Sequence, residues 1–152
     1  MKPKSKVQLP STAVGRRRLL KLAGMLEADA KNKNGIKFDL SLWGGAHRPD
    51  EPMSCATIGC AMGLAVASGA FAKDGLQPPD SGGRLAPVFR SKGSQDRLYH
   101  FDAAAGLFQI ERQEAKFLFG YNHYSLPRSV GAHAERAVAK RIRQFVAGKV
   151  AP

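Results

Sequence analysis

The sequence predicts a mainly α fold: a single compact domain of about four to five helices with a small β-hairpin. Three observations carry this. Apolar residues recur at three- and four-residue steps near both ends of the chain. Glycine and proline clusters fall between the periodic segments. A length of 152 residues suits one domain, and a domain of that size removes roughly 68–70% of its unfolded surface from water.

The first helix is expected over residues 16–31. Leu19, Leu22, Ala23, Leu26 and Ala30 share one face. Arg16, Arg17, Arg18 and Lys21 crowd its start and oppose the helix dipole, so an earlier N-cap at Ser11 or Thr12 is favoured. Asn34-Gly35 ends it. Residues 1–15, with Lys2, Lys4, Lys6, Pro3 and Pro10, read as a flexible basic tail, leaving 16–148 as the globular domain.

Ile36 to Leu42 alternates apolar and polar residues as a half-buried extended segment, followed by Trp43 as a loop anchor. Thr57 is placed to cap a helix reaching Ala70. Its Gly and Ala residues make it thin and dependent on tertiary packing. Residues 73–87 read as loop. Val88-Phe89-Arg90 and Arg97-Leu98-Tyr99 form a hairpin around Gly93. Asp102 caps a short helix to Phe108, and residues 111–119 form another. Ser129 caps the last helix, which stops at Gly148 and directs Val130, Ala134, Val138, Ile142 and Phe145 inward. The expected core is Leu22, Leu26, Phe38, Trp43, Met62, Leu107, Leu118, Ile142 and Phe145.

The formal charge of +12 is unevenly placed. Residues 1–37 hold ten Lys and Arg against two acids, and residues 128–152 hold six against one. The middle, with eight against nine, is almost neutral. Two basic ends suggest a polyanionic partner, DNA or RNA. The candidate phosphate contacts are Arg16, Arg17, Arg18 and Lys21 on the first helix, with Arg136, Lys140 and Arg143 on the last. No DNA-binding motif stands out, so the contact would be insensitive to sequence. The rival is an adaptor that presents the same surface to an acidic protein.

No apolar run approaches the roughly 18 residues of a transmembrane helix. Gly15-Arg16-Arg17-Arg18-Leu19-Leu20-Lys21 looks like a twin-arginine export signal. After Lys21, however, only Leu22 to Leu26 is uncharged, against about 7–15 apolar residues in a working signal. The expected location is therefore the cytoplasm, where Cys55 and Cys60 stay reduced.

Those two thiols are expected to be packed, with Cys60 in the thin helix. Zinc is the first alternative, with His47, His100, His123 and His133 as further donors, but neither a second CxxC nor an HxxxH pair is present. A nucleophilic Cys55 with His47 or His123 as base and Asp50 behind it is the second. The expectation is no catalytic residue, no metal and no cofactor. Phe117, Phe119, Tyr121 and Tyr124 interleave with Lys116, Asn122, His123 and Arg128, a pattern that can stack bases but more simply supplies core and loop support.

Phe38-Asp39-Leu40-Ser41-Leu42-Trp43, Cys55 to Gly63, Ala103 to Phe108 and Glu114 to Phe119 carry a resemblance when taken in this order. Together they resemble a family of small uncharacterised proteins of bacteria, phages and prophages with FDMxxW, CGTxxCxAG, AxxFFGL and EAxxLF blocks. This chain departs at Ala56, where the family usually has Gly. The resemblance spans roughly residues 16–147 and implies a shared fold and an origin in mobile elements, with no activity, cofactor or catalytic residue attached.

Overall fold

The computed structural model of the protein describes residues 12–32, 37–38, 58–59, 61–77, 88–126 and 130–152. The chain is mainly helical, with five α-helices and two small sheets among these residues. Trp43, Thr57, Cys55 and Cys60 lie outside them, so the roles expected of those residues do too.

Helix α1 runs Ala13–Lys31. Its cap is Thr12, whose hydroxyl accepts from Gly15 N at 3.0 Å. The helix thus starts three residues before the expected domain boundary at 16, because a side-chain cap satisfies an otherwise orphaned amide. Leu19, Leu22, Ala23 and Leu26 are fully buried.

Helix α5, Gly131–Val146, is the principal partner of α1. Ala134, Val138, Ile142 and Phe145 are fully buried. Val130 is not core as expected; it is 46% exposed, and its extended backbone is the N-cap that turns the chain into α5. Across this contact Asp29 meets Glu135 and Glu27 meets Arg143. Residue numbers fall on α1 as they rise on α5, so the pair is antiparallel. In a parallel pair Arg143 would lie level with residue 37, about 15 Å beyond Glu27.

The remaining elements close around this pair. Strands β1 (Lys37–Phe38) and β2 (Ile58–Gly59) are parallel. Helix α2, Ala61–Ser68, begins after β2 rather than at Thr57. A 3₁₀ turn at Ala72–Asp74 leads into β3, Leu76–Gln77. This strand lies inside the stretch expected to be loop and pairs with β4, Val88–Phe89. β4 pairs in turn with β5, Leu98–Tyr99, as the expected hairpin.

Helix α3 (His100–Phe108) starts at an N-cap of Tyr99, with Asp102 inside its first turn instead of capping it. Gln109 closes it in the left-handed region, and Ile110 N donates back to Ala105 O at 3.0 Å. Helix α4 (Arg112–Phe119) opens on Glu111, whose N–H donates to Glu114 Oε1 at 2.8 Å. Phe108 joins the layers, with its ring 6.0 Å from Phe71 and 5.6 Å from Phe119.

The start of α1 lies hard against the end of α3. A Cβ at Gly15 would sit 2.1 Å from Phe108 O, a backbone atom that cannot rotate away. Gly15→Ala is therefore expected to destabilise by about 1–3 kcal/mol or more, measured by urea unfolding. A control at Gly24, where an added Cβ meets nothing within 4 Å, should be neutral or stabilising.

Candidate polyanion interface

The seven cations singled out by charge and periodicity fall into two groups. Arg18, Lys21 and Arg143 have partners inside the fold. Arg18 Nη1 donates to Leu107 O at 2.7 Å and Nη2 to Asp74 Oδ1 at 3.1 Å. Lys21 Nζ donates to Ala70 O at 3.0 Å and lies 5.1 Å from the Phe71 ring centre. Both residues fasten α1 to its neighbours. Arg143 makes a two-pronged pair with Glu27, Nε to Oε2 at 3.0 Å and Nη2 to Oε1 at 2.5 Å. That hydrogen bond holds the Glu27 carboxyl below its usual range and raises Arg143.

Arg16, Arg17, Arg136 and Lys140 are exposed, and their side chains make no hydrogen bond or ion pair among the described residues. The Glu27–Arg143 pair decides how they relate, because it sets one stripe of α1 beside one stripe of α5. On α5 that stripe is Arg136, Lys140 and Arg143, at i, i+4 and i+7. On α1 it is Arg16, Leu20, Glu27 and Lys31, at i, i+4, i+11 and i+15. Leu20 is 39% exposed and Lys31 is exposed. The register sets Lys31 beside Lys140 and Arg136, with the one acid of the stripe, Glu27, paired to Arg143, while Arg16, eleven residues before Glu27, continues the α1 stripe beyond the end of α5. Arg17 lies one step round the helix from Arg16, toward a different flank.

Arg16 and Lys31 are about 22 Å apart along α1. That span matches about six phosphates of one strand, so the face suits an extended polyanion better than a single phosphate. Lys31 has a legible signal, since it stands four residues beyond Glu27 on the same stripe. Reading the cations of the first helix only at its start misses it.

In the aromatic and basic cluster around the end of α4, Phe117, Phe119 and Tyr124 are engaged within the fold, while Arg128 lies outside the described residues. Arg141 lies 3.7 Å from the Tyr124 ring centre and 4.5 Å from that of Phe117. Its Nη1 donates to His123 O at 2.6 Å and to Phe117 O at 3.0 Å. Tyr124 donates its hydroxyl to Leu118 O at 2.6 Å, and burial pushes its phenol up, against the pull of Arg141. Phe119 is core, 2% exposed. Phe117 and Tyr124 each turn a ring face to the Arg141 guanidinium of the chain itself.

Of the histidines considered as ligands, His100, His123 and His133 are exposed, while His47 lies outside the described residues with the cysteines. Among the described residues no three His, Cys, Asp or Glu side chains gather as a metal site. In the same residues no helix is long and apolar enough to cross a membrane.

Arg141→Lys keeps the charge but loses the planar fork and its stacking. It is expected to cost about 1–2 kcal/mol, read from thermal or urea unfolding. Arg136→Gln and Lys140→Gln should stay within about 0.5 kcal/mol of wild type.

Comparisons with protein-family models, with curated proteins and with solved structures find no match to this chain.

Proposed function

We propose that this protein binds nucleic acid, without regard to sequence, on the face formed along the α1–α5 seam. The observation that carries the reading is the Glu27–Arg143 pair, which sets exposed Lys31 of α1 beside exposed Arg136 and Lys140 of α5, with exposed Arg16 further along the same α1 stripe. Arg16, Lys31, Arg136 and Lys140 would each neutralise a phosphate and release a condensed counterion. Arg18, Lys21 and Arg143 would act behind them, holding the helices that carry the face. The exposed position of Arg17 makes it an auxiliary contact, together with the basic residues 1–11. An accessory role in the cytoplasm and an origin in mobile elements belong to the same proposal, the latter on the resemblance of the sequence blocks.

Leu20 favours a second reading. An exposed leucine in the middle of a basic face offers apolar contact that a phosphate backbone does not need. An acidic protein would use both.

Fluorescence anisotropy against a mixed-sequence duplex at increasing salt separates the readings. The slope of log affinity on log salt should be roughly 0.9 per phosphate contact. Arg136→Gln with Lys140→Gln should flatten it by about two units, as should Arg16→Gln with Lys31→Gln. Removal of residues 1–11 tests the tail separately. Absence of binding at low salt, or a slope untouched by both double substitutions, overturns the nucleic-acid reading and leaves the acidic partner.

A further inference from the structure

Glu135 is the one acid in α5, and it lies on the apolar side of the helix. Its register with Val138, Ala139 and Ile142 is that of a core residue, and it is 2% exposed. The group it meets across the seam is Asp29 of α1, within reach of a side-chain hydrogen bond if one of the two carboxyls carries a proton. Two ionised carboxylates bring only acceptors to such a contact. The structure shows the consequence at atomic level. Oε2 of Glu135 and Oδ2 of Asp29 are both buried, and neither meets a hydrogen donor in the protein.

We infer that Asp29 and Glu135 form a proton-binding site within the α1–α5 seam, holding one proton between them at neutral pH and so helping to keep the two helices docked. One proton supplies what the contact lacks: the Glu135 O–H donates to the Asp29 carboxylate, and the like-charge repulsion is removed. The surroundings favour Glu135 as the protonated partner. Glu135 is the more deeply buried of the two, 2% exposed against a half-buried Asp29. Among the described residues, the charged groups that act on Glu135 are Asp29 on α1 and Arg136 on α5 itself. Strand β1, also packed on α5, carries Lys37, and α4 meets α5 further along, near Arg141. Arg136 is exposed and opposes the effect without cancelling it: burial first, then the bond to Asp29 and its charge, push the Glu135 carboxyl up to about 9.

The direction of the pH effect follows. A folded-state pKa above the unfolded one means that the folded protein holds the proton more tightly. The stability it lends is complete below the ordinary value of 4.5 and shrinks as pH rises, until Glu135 ionises near 9. Across that window the unfolding constant should rise by up to about tenfold per pH unit from this site.

The test compares unfolding of the full chain with that of Glu135→Gln between mildly acidic and alkaline pH. Gln keeps the shape and donates to Asp29 without titrating. The variant should lose most of the pH slope in this window and exceed wild type in stability at alkaline pH. Infrared spectroscopy gives an independent reading: the wild type should keep a protonated-carboxyl stretch at neutral pH that disappears in Glu135→Gln. If that variant fails to fold, Asp29→Asn serves, and loss of the like charge should shift the titration of the stretch to lower pH. A wild-type slope retained in Glu135→Gln, or no protonated carboxyl in the wild type at neutral pH, overturns the inference.

Discussion

The antiparallel contact of α1 with α5 is the constraint on which the rest of the structure depends. It joins residues 116 positions apart in the chain, as the Glu27–Arg143 pair does directly. The loop-closure entropy of bringing such distant segments together grows only slowly with length. What the seam must supply is enough apolar burial to fix two helices. Leu22, Leu26, Ile142 and Phe145 supply bulk, while Ala23 and Ala134, also fully buried, let the backbones approach. The middle of the chain then has a surface to pack against. α2 and the small strands are too short to stand alone.

The basic ends of the chain serve the neutral middle in a specific way. A helix leaves its last carbonyls without partners and with partial negative charge. Arg18 reaches Leu107 O in the last turn of α3, Arg141 reaches Phe117 O in the last turn of α4, and Lys21 reaches Ala70 O just beyond α2. Two cations from the terminal helices thus close the C-termini of α3 and α4, and a third holds the turn that follows α2. A net charge of +12 therefore overstates what is left for a partner, and a count of cations is weaker evidence of a polyanion site than their individual partners.

Much of the fold is legible in the sequence, for physical reasons that also mark where legibility stops. The apolar steps in α1 and α5 predict their buried faces, because a helix of that length must hide a stripe. Gly148 ends α5 with a left-handed backbone, φ 76°, as its position suggests. Two-residue strands leave no periodicity to find, so β3 goes unseen within a stretch rich in turn residues. An N-cap is set by where the extended backbone turns into the helix, and so Tyr99 and Val130, neither with a side-chain cap bond, take places that Asp102 and Ser129 favour by composition. The candidate face is legible only in its halves. Each stripe can be read from spacing, whereas their alignment needs the Glu27–Arg143 contact. Arg141 looks like one more surface cation, and only tertiary structure puts it between two rings and two carbonyls.

Glu135 could have been flagged from sequence, since an acid in a core register is a conflict between local pattern and burial that needs an explanation. A well-packed apolar residue often matches a buried polar pair in stability, so what the pair adds beyond the contribution of its proton is specificity. That specificity is one of register. A seam of leucines and alanines can slide by one turn and still bury an apolar face. Such a slide would strand Glu135 against a residue other than Asp29 and separate Glu27 from Arg143, leaving a buried carboxyl without its partner. Two polar contacts along one helix pair therefore discriminate against slipped alignments that hydrophobic burial tolerates. The same alignment brings the two basic stripes together, so the residues that fix the register of the fold also set the geometry of the face proposed to meet nucleic acid.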